Sequence, residues 1–100
     1  MKAYKVFNND WTCRGFQYEV GKTYTMEEKP DLCSRGFHAC KKAADCFYYY
    51  SFDSNNRVAE VDLSGDIVGT DDNKQASNSI KIVRELSWQE VLEIVNTGKG

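Results

Sequence analysis

The side chains best suited to chemistry near neutral pH are the single histidine, His38, and four cysteines, Cys13, Cys33, Cys40 and Cys46. His38 and Cys40 are two residues apart, so an extended backbone sends both to one face, where an imidazole could activate a thiol. Such a pair also needs an orienting carboxylate, and a packed or edge histidine is the simpler reading. Zinc favours short paired spacings such as C-x₂-C, whereas the gaps here are 19, 6 and 5 residues. Cys33, His38 and Cys40 can still converge on a metal from a bent strand. Buried free cysteines acting as small apolar side chains account for the same residues. Among carboxylates, Glu60 and Asp62 share a face of an alternating strand beside Asp66, suited to a cation or to acid–base work, with a solvated sheet face as the simpler reading. No GxGxxG, P-loop, HExxH or EF-hand pattern occurs. The residues therefore predict no catalytic set, no metal and no cofactor.

Binding is better represented. Phe47-Tyr48-Tyr49-Tyr50 places four aromatics in a row, and on a helix they span more than half the circumference. Phe47 and Tyr50 can enter a core, which leaves Tyr48 or Tyr49 exposed as a binding anchor or a stacking platform. Cys13-Arg14-Gly15-Phe16 recurs, with one insertion, as Cys33-Ser34-Arg35-Gly36-Phe37. Two copies do not make a repeat fold. They read as two similar turns in which glycine frees the backbone and phenylalanine fills the core, with Arg14 and Arg35 near each other on one rim. Arg14, Arg35, His38, Tyr48 and Tyr49 are the predicted binding residues.

These residues need a scaffold. Lys2–Phe7 alternates, with Ala3, Lys5 and Phe7 opposed to Lys2, Tyr4 and Val6, and predicts a strand. Phe16–Val20 and Thr23–Met26 predict a hairpin through Gly21-Lys22, followed by a loop containing the only proline, Pro30. Gly36–Cys40 reads as a buried strand and Lys41–Tyr50 as a helix with Ala43, Cys46, Phe47 and Tyr50 on one face. Arg57–Leu63 is a strand, Ile67-Val68 extends the sheet, and the polar stretch Gly69–Asn78 reads as a loop. In the strand Ser79–Leu86, Ile80, Ile82 and Arg84 oppose Lys81, Val83 and Glu85. Ser87-Trp88-Gln89-Glu90 has the pattern of a capping box, opening a helix with Trp88, Val91, Leu92 and Val95 on its apolar face. The expected fold is a single α+β domain over residues 1–100, with a small mixed, mainly antiparallel sheet, a central helix and a C-terminal helix.

The composition, 41% hydrophobic and 28% charged, is that of a globular domain. Residues 1–50 carry a balance of +2 and residues 51–100 of −4, too little basicity for a protein that neutralises several phosphates. Met1–Trp11 lacks the apolar run of a secretory signal, and no apolar stretch approaches a membrane span. The expectation is a cytoplasmic protein with reduced thiols and no membrane partner. An exposed aromatic helix or an uncovered edge strand would support a homodimer.

Lys2-Ala3-Tyr4-Lys5, the run Trp11–Tyr24 and Gly36-Phe37-His38-Ala39-Cys40 resemble a family of small uncharacterised phage and prophage proteins. That resemblance implies work in a bacterial host cytoplasm and a non-enzymatic accessory role. The expected partner is a host protein or ribonucleoprotein, with inhibition of a defence system such as CRISPR. Residues 35–68 are also similar to the strand–helix–strand core of ADP-ribosyltransferases. That similarity implies a nucleotide ligand, with His38 in the place of the nicotinamide-stacking tyrosine, Arg14 in that of the first motif and Glu85 as counterpart of the late glutamate.

Overall fold

A computed structural model of the chain describes residues 1–27, 29–30, 36–47, 53–69 and 74–97. Its strands are β1 (Lys2–Phe7), β2 (Thr12–Cys13), β3 (Phe16–Gln17), β4 (Thr23–Thr25), β5 (Phe37–Cys40), β6 (Arg57–Gly69) and β7 (Lys74–Leu86); its helices are α1 (Ala43–Cys46) and α2 (Trp88–Thr97). The fold is broadly α+β. All pairings among the described strands are antiparallel, so the expected mixed sheet is not what forms.

The backbone of the fold is the long ribbon β6–β7. β6 gives its other edge to β1 over six residue pairs, Lys2↔Asp62 to Phe7↔Arg57. The other edge of β7 takes β5 along Lys74–Ser77 and β4 along Ser79–Lys81. β5 then meets β1 through the single pair Tyr4↔Cys40. The strands β1, β6, β7 and β5 thus close a ring.

Two irregularities bend the ribbon enough for this. Near Gly65, the register slips between Ser64 and Ile67; Gly65 has a φ of 72° and the Asp66 N–H donates to Asn78 Oδ1 at 3.0 Å. This glycine is required, because a Cβ would overlap the Asn78 side chain. The second slip pairs Glu60 with Arg84 but Val61 with Ile82 and leaves Val83 unmatched. It also shifts the side-chain phase. Ile80 and Ile82 face one core, while Leu86, four residues on from Ile82, faces another. The expected grouping of Arg84 with Ile80 and Ile82 therefore fails, since periodicity alone does not reveal a bulge.

Two cores result, and β1 serves both. Ala3 and Phe7 join Ala59, Val61, Leu63, Ile80, Ile82 and Phe37 in the first, and Tyr4 and Val6 join Val58, Leu86, Val91, Ala43 and Cys46 in the second. α2 covers the second core with Trp88, Val91, Ile94 and Val95, whereas Leu92 is 46% exposed, contrary to expectation. Ser87 Oγ accepts the Glu90 N–H at 3.1 Å, which is half of the capping box. The Glu90 carboxylate instead accepts from the two terminal guanidinium nitrogens of Arg84, at 3.1 and 2.9 Å. α1 is a four-residue turn that packs on β1, β5 and α2, and nothing in these contacts makes it central.

Two further expectations change. Phe16–Val20 and Thr23–Met26 do not form a hairpin: Phe16–Gln17 pairs with Thr12–Cys13, and Thr23–Thr25 pairs with β7. The polar loop expected at Gly69–Asn78 is strand at each of its described residues, Gly69 and 74–78, with Gln75, Ala76 and Ser77 buried. Polar residues sit there because β5 and β6 satisfy both edges of the backbone.

Candidate functional site

The ring has one weak joint. After Tyr4↔Cys40, β1 and β5 share no further residue pair. The seam is held instead by a side chain. Lys5 lies between Ala3 and Phe7 on the inward row of β1, which carries its ammonium into the gap, where Nζ donates to the His38 carbonyl oxygen at 2.6 Å. Lys5 is only 4% exposed. Its ammonium lies 5.9 Å from the Phe7 ring centre and 5.7 Å from that of Tyr18, within cation–π range. Burial pushes its pKa below the ordinary lysine value, and the Arg14 charge acts in the same direction. The Cys13 sulfur, which hydrogen-bonds the ammonium, and Cys46 offset part of this.

Over the seam hangs the hairpin β2–β3. Its two-residue turn has Arg14 at φ 52° and Gly15 at φ 78°. Positive φ at both positions is the type I′ requirement, met without strain by Gly15 but not by Arg14. The turn places Arg14 on the wall of a cavity of about 490 Å³ between β1, β5 and the hairpin. Its basic residues are Lys5, Arg14, His38 and Lys74, and its aromatic residues Tyr4, Phe7, Phe16, Tyr18 and Phe37. Cys13, Cys40 and Cys46 also line it, with Asn8, Thr12 and Asn56. No carboxylate lines it among the described residues.

Two predicted binding residues, Arg14 and His38, therefore meet at one cavity. Arg35, Tyr48 and Tyr49 lie outside the described residues, as does Cys33. The internal echo has a spatial counterpart: Phe16 and Phe37, its two phenylalanines, pack edge to face at 5.8 Å. Phe37 is buried as expected, but Phe16 is 43% exposed. Sequence reasoning missed Lys5, Lys74, Cys13 and Tyr18 as site residues. The signal for Lys5 was there, in a lysine flanked at i±2 by apolar residues on an alternating strand. Lys74 was obscured by the apparent loop.

The other candidates are engaged elsewhere. Glu60 pairs with Lys2 and Arg84, Asp62 with the N-terminal amine, and Asp66 with Asn78. Glu85 pairs with Arg57 at 3.0 Å and does not line the cavity. Among the described residues no group of three or more His, Cys, Asp or Glu side chains is arranged to hold a metal, and no helix is long and apolar enough to cross a membrane.

Neither the curated proteins nor the solved structures yielded a match to this chain. One family model matches residues 1–94, nearly the whole length. The chain belongs to the family described as Domain of unknown function (DUF7666).

Proposed function

We propose that this domain binds a small anionic ligand carrying an aromatic ring, with a nucleotide as the nearest chemical fit. The observation behind it is the wall of the seam cavity, where Lys5, Arg14, His38 and Lys74 lie among five aromatic residues and no described carboxylate competes. Partly desolvated cations attract phosphate far more strongly than solvated ones, and rings offer a stacking surface for a base. Volumes of about 300–1,000 Å³ are usual for such sites. Because Glu85 is held by Arg57 away from the cavity, the proposal is binding without ADP-ribosyl transfer. Native mass spectrometry and calorimetry with NAD, AMP and cyclic nucleotides test it. A one-to-one adduct, lost in Lys5→Met and weakened in Arg14→Gln, is expected; no adduct and no thermal shift with any of them removes the reading.

A second reading is a phage-type accessory protein that acts in a bacterial cytoplasm, binding a host protein or ribonucleoprotein to inhibit a defence system. Exposed apolar side chains on one stretch of β6, Ile67 and Val68, support it, since they contribute to neither core. Affinity capture from host lysate should recover a partner that Ile67→Ser/Val68→Ser loses. Equal recovery by both proteins counts against it.

A further inference from the structure

We infer that Cys40 and Cys46 form a redox-active dithiol, oxidised by a small organic disulfide that reaches it through the seam cavity. This goes beyond the ligand-binding proposal and does not rest on it. Cys40 ends β5 and Cys46 ends α1, and the Lys41-Lys42 link, extended at Lys42, brings both cysteines into one buried cluster. Cys46 Sγ donates to the carbonyl of Tyr4 at 3.4 Å, and Tyr4 is the residue paired with Cys40 across the joint. Both thiols are reduced, and both line the cavity although Cys40 is only 5% exposed. Two packed apolar cysteines would explain the burial, but not the charged groups around them. Asp45 is buried at 8% exposure with Oδ2 unpartnered among the described residues, and its charge reaches both sulfurs, as does that of Lys5.

The pair is also asymmetric. The neighbouring Cys46 thiol holds the Cys40 thiol below the ordinary cysteine range, with Lys5 and Lys74 assisting, whereas Cys40 and burial push Cys46 well above it. Cys40 is therefore the attacking thiol. Its thiolate adds to one sulfur of R–S–S–R, forming Cys40–S–S–R; the released RS⁻ takes up the proton that Cys40 gave up. Cys46 then loses its proton, with the Asp45 carboxylate as acceptor, and attacks Cys40 Sγ. The second RS⁻ leaves and takes that proton. Two thiols become one disulfide, two electrons pass to the small disulfide, and two RSH are formed.

The test exposes the reduced full-length chain to glutathione disulfide, quenches with acid, alkylates the remaining thiols and maps the peptides by mass spectrometry. The expected wild-type product is a Cys40–Cys46 disulfide. Cys46→Ser should stop at a glutathione adduct on Cys40, and Asp45→Asn should accumulate that adduct before closing. Cys46 in Cys40→Ser should react more slowly than Cys40 in Cys46→Ser, because Cys46 is the more deeply buried of the two thiols. Wild-type protein in which Cys40 and Cys46 remain fully alkylated, or in which the disulfide involves Cys13 or Cys33, overturns the inference whether or not the variants fold.

Discussion

Lys5 shows how much one residue can decide. An ammonium in an apolar row loses its hydration, and one short bond to a carbonyl, a thiol and two rings only partly replace it. Because its pKa is lower in the folded chain than in the unfolded one, the unfolded state holds more protons between that lowered value and 10.5. The Lys5 contribution to stability is then complete above 10.5 and declines as pH falls through the folded value. The groups around it, Cys13, Cys46 and Arg14, are present in both proteins compared. The stability of wild type relative to Lys5→Met should accordingly rise with pH across that window; a difference that stays flat in urea titrations at several pH values refutes this. Arg14 is the second case. Its left-handed backbone costs about 1–2 kcal/mol, while a glycine there would lose about 0.5–1 kcal/mol more unfolded-state entropy. Arg14→Gly should therefore gain roughly 0.5–1 kcal/mol in stability while losing affinity for the anionic ligand, an opposition that calorimetry and denaturant melts read separately.

At the scale of elements, the long ribbon matters more than any helix. Its closure depends on the slip at Gly65, where φ is 72° and a side chain has no room beside Asn78. Gly65→Ala should cost about 1–3 kcal/mol and loosen β5 from β7, which amide exchange at Phe37–Cys40 would report. This is also where the sequence was hardest to read. Alternation in Lys2–Phe7 and Arg57–Leu63 and the Ser87 cap were legible because each depends on nearby residues. The strand through Gln75, Ala76 and Ser77 was not, since its stability comes from two distant neighbours rather than from its own polar residues. Thr23–Thr25 was legible as a strand but not in its partner, because pairing with β7 is a choice made across most of the chain. The site divides the same way. Arg14 and His38 announced themselves by type, whereas Lys5 and Lys74 acquired meaning only from the joint they surround.

Across the whole molecule, β1 and β6 are shared by both cores, so neither core closes without the same distant pairing. The two tryptophans report on them separately: Trp11 packs against the first and Trp88 against the second. Single-tryptophan variants, Trp11→Phe and Trp88→Phe, should give coincident unfolding transitions by fluorescence. Two separated midpoints would mean that the cores unfold independently. Refolding should take on the order of milliseconds to seconds, as non-local strand pairing dictates.

Most sheets seal their edges with amides that nothing small can displace. Here β1 and β5 are latched by a flexible amine, and the space that the amine occupies opens onto solvent through the cavity. An anion that draws the ammonium off the His38 carbonyl must ease the latch. By thermodynamic reciprocity, whatever eases the latch must strengthen the grip on the anion by the same factor. The ring would then behave as a reporter of its own occupancy, its β5 amides exchanging faster when the cavity is full than when it is empty.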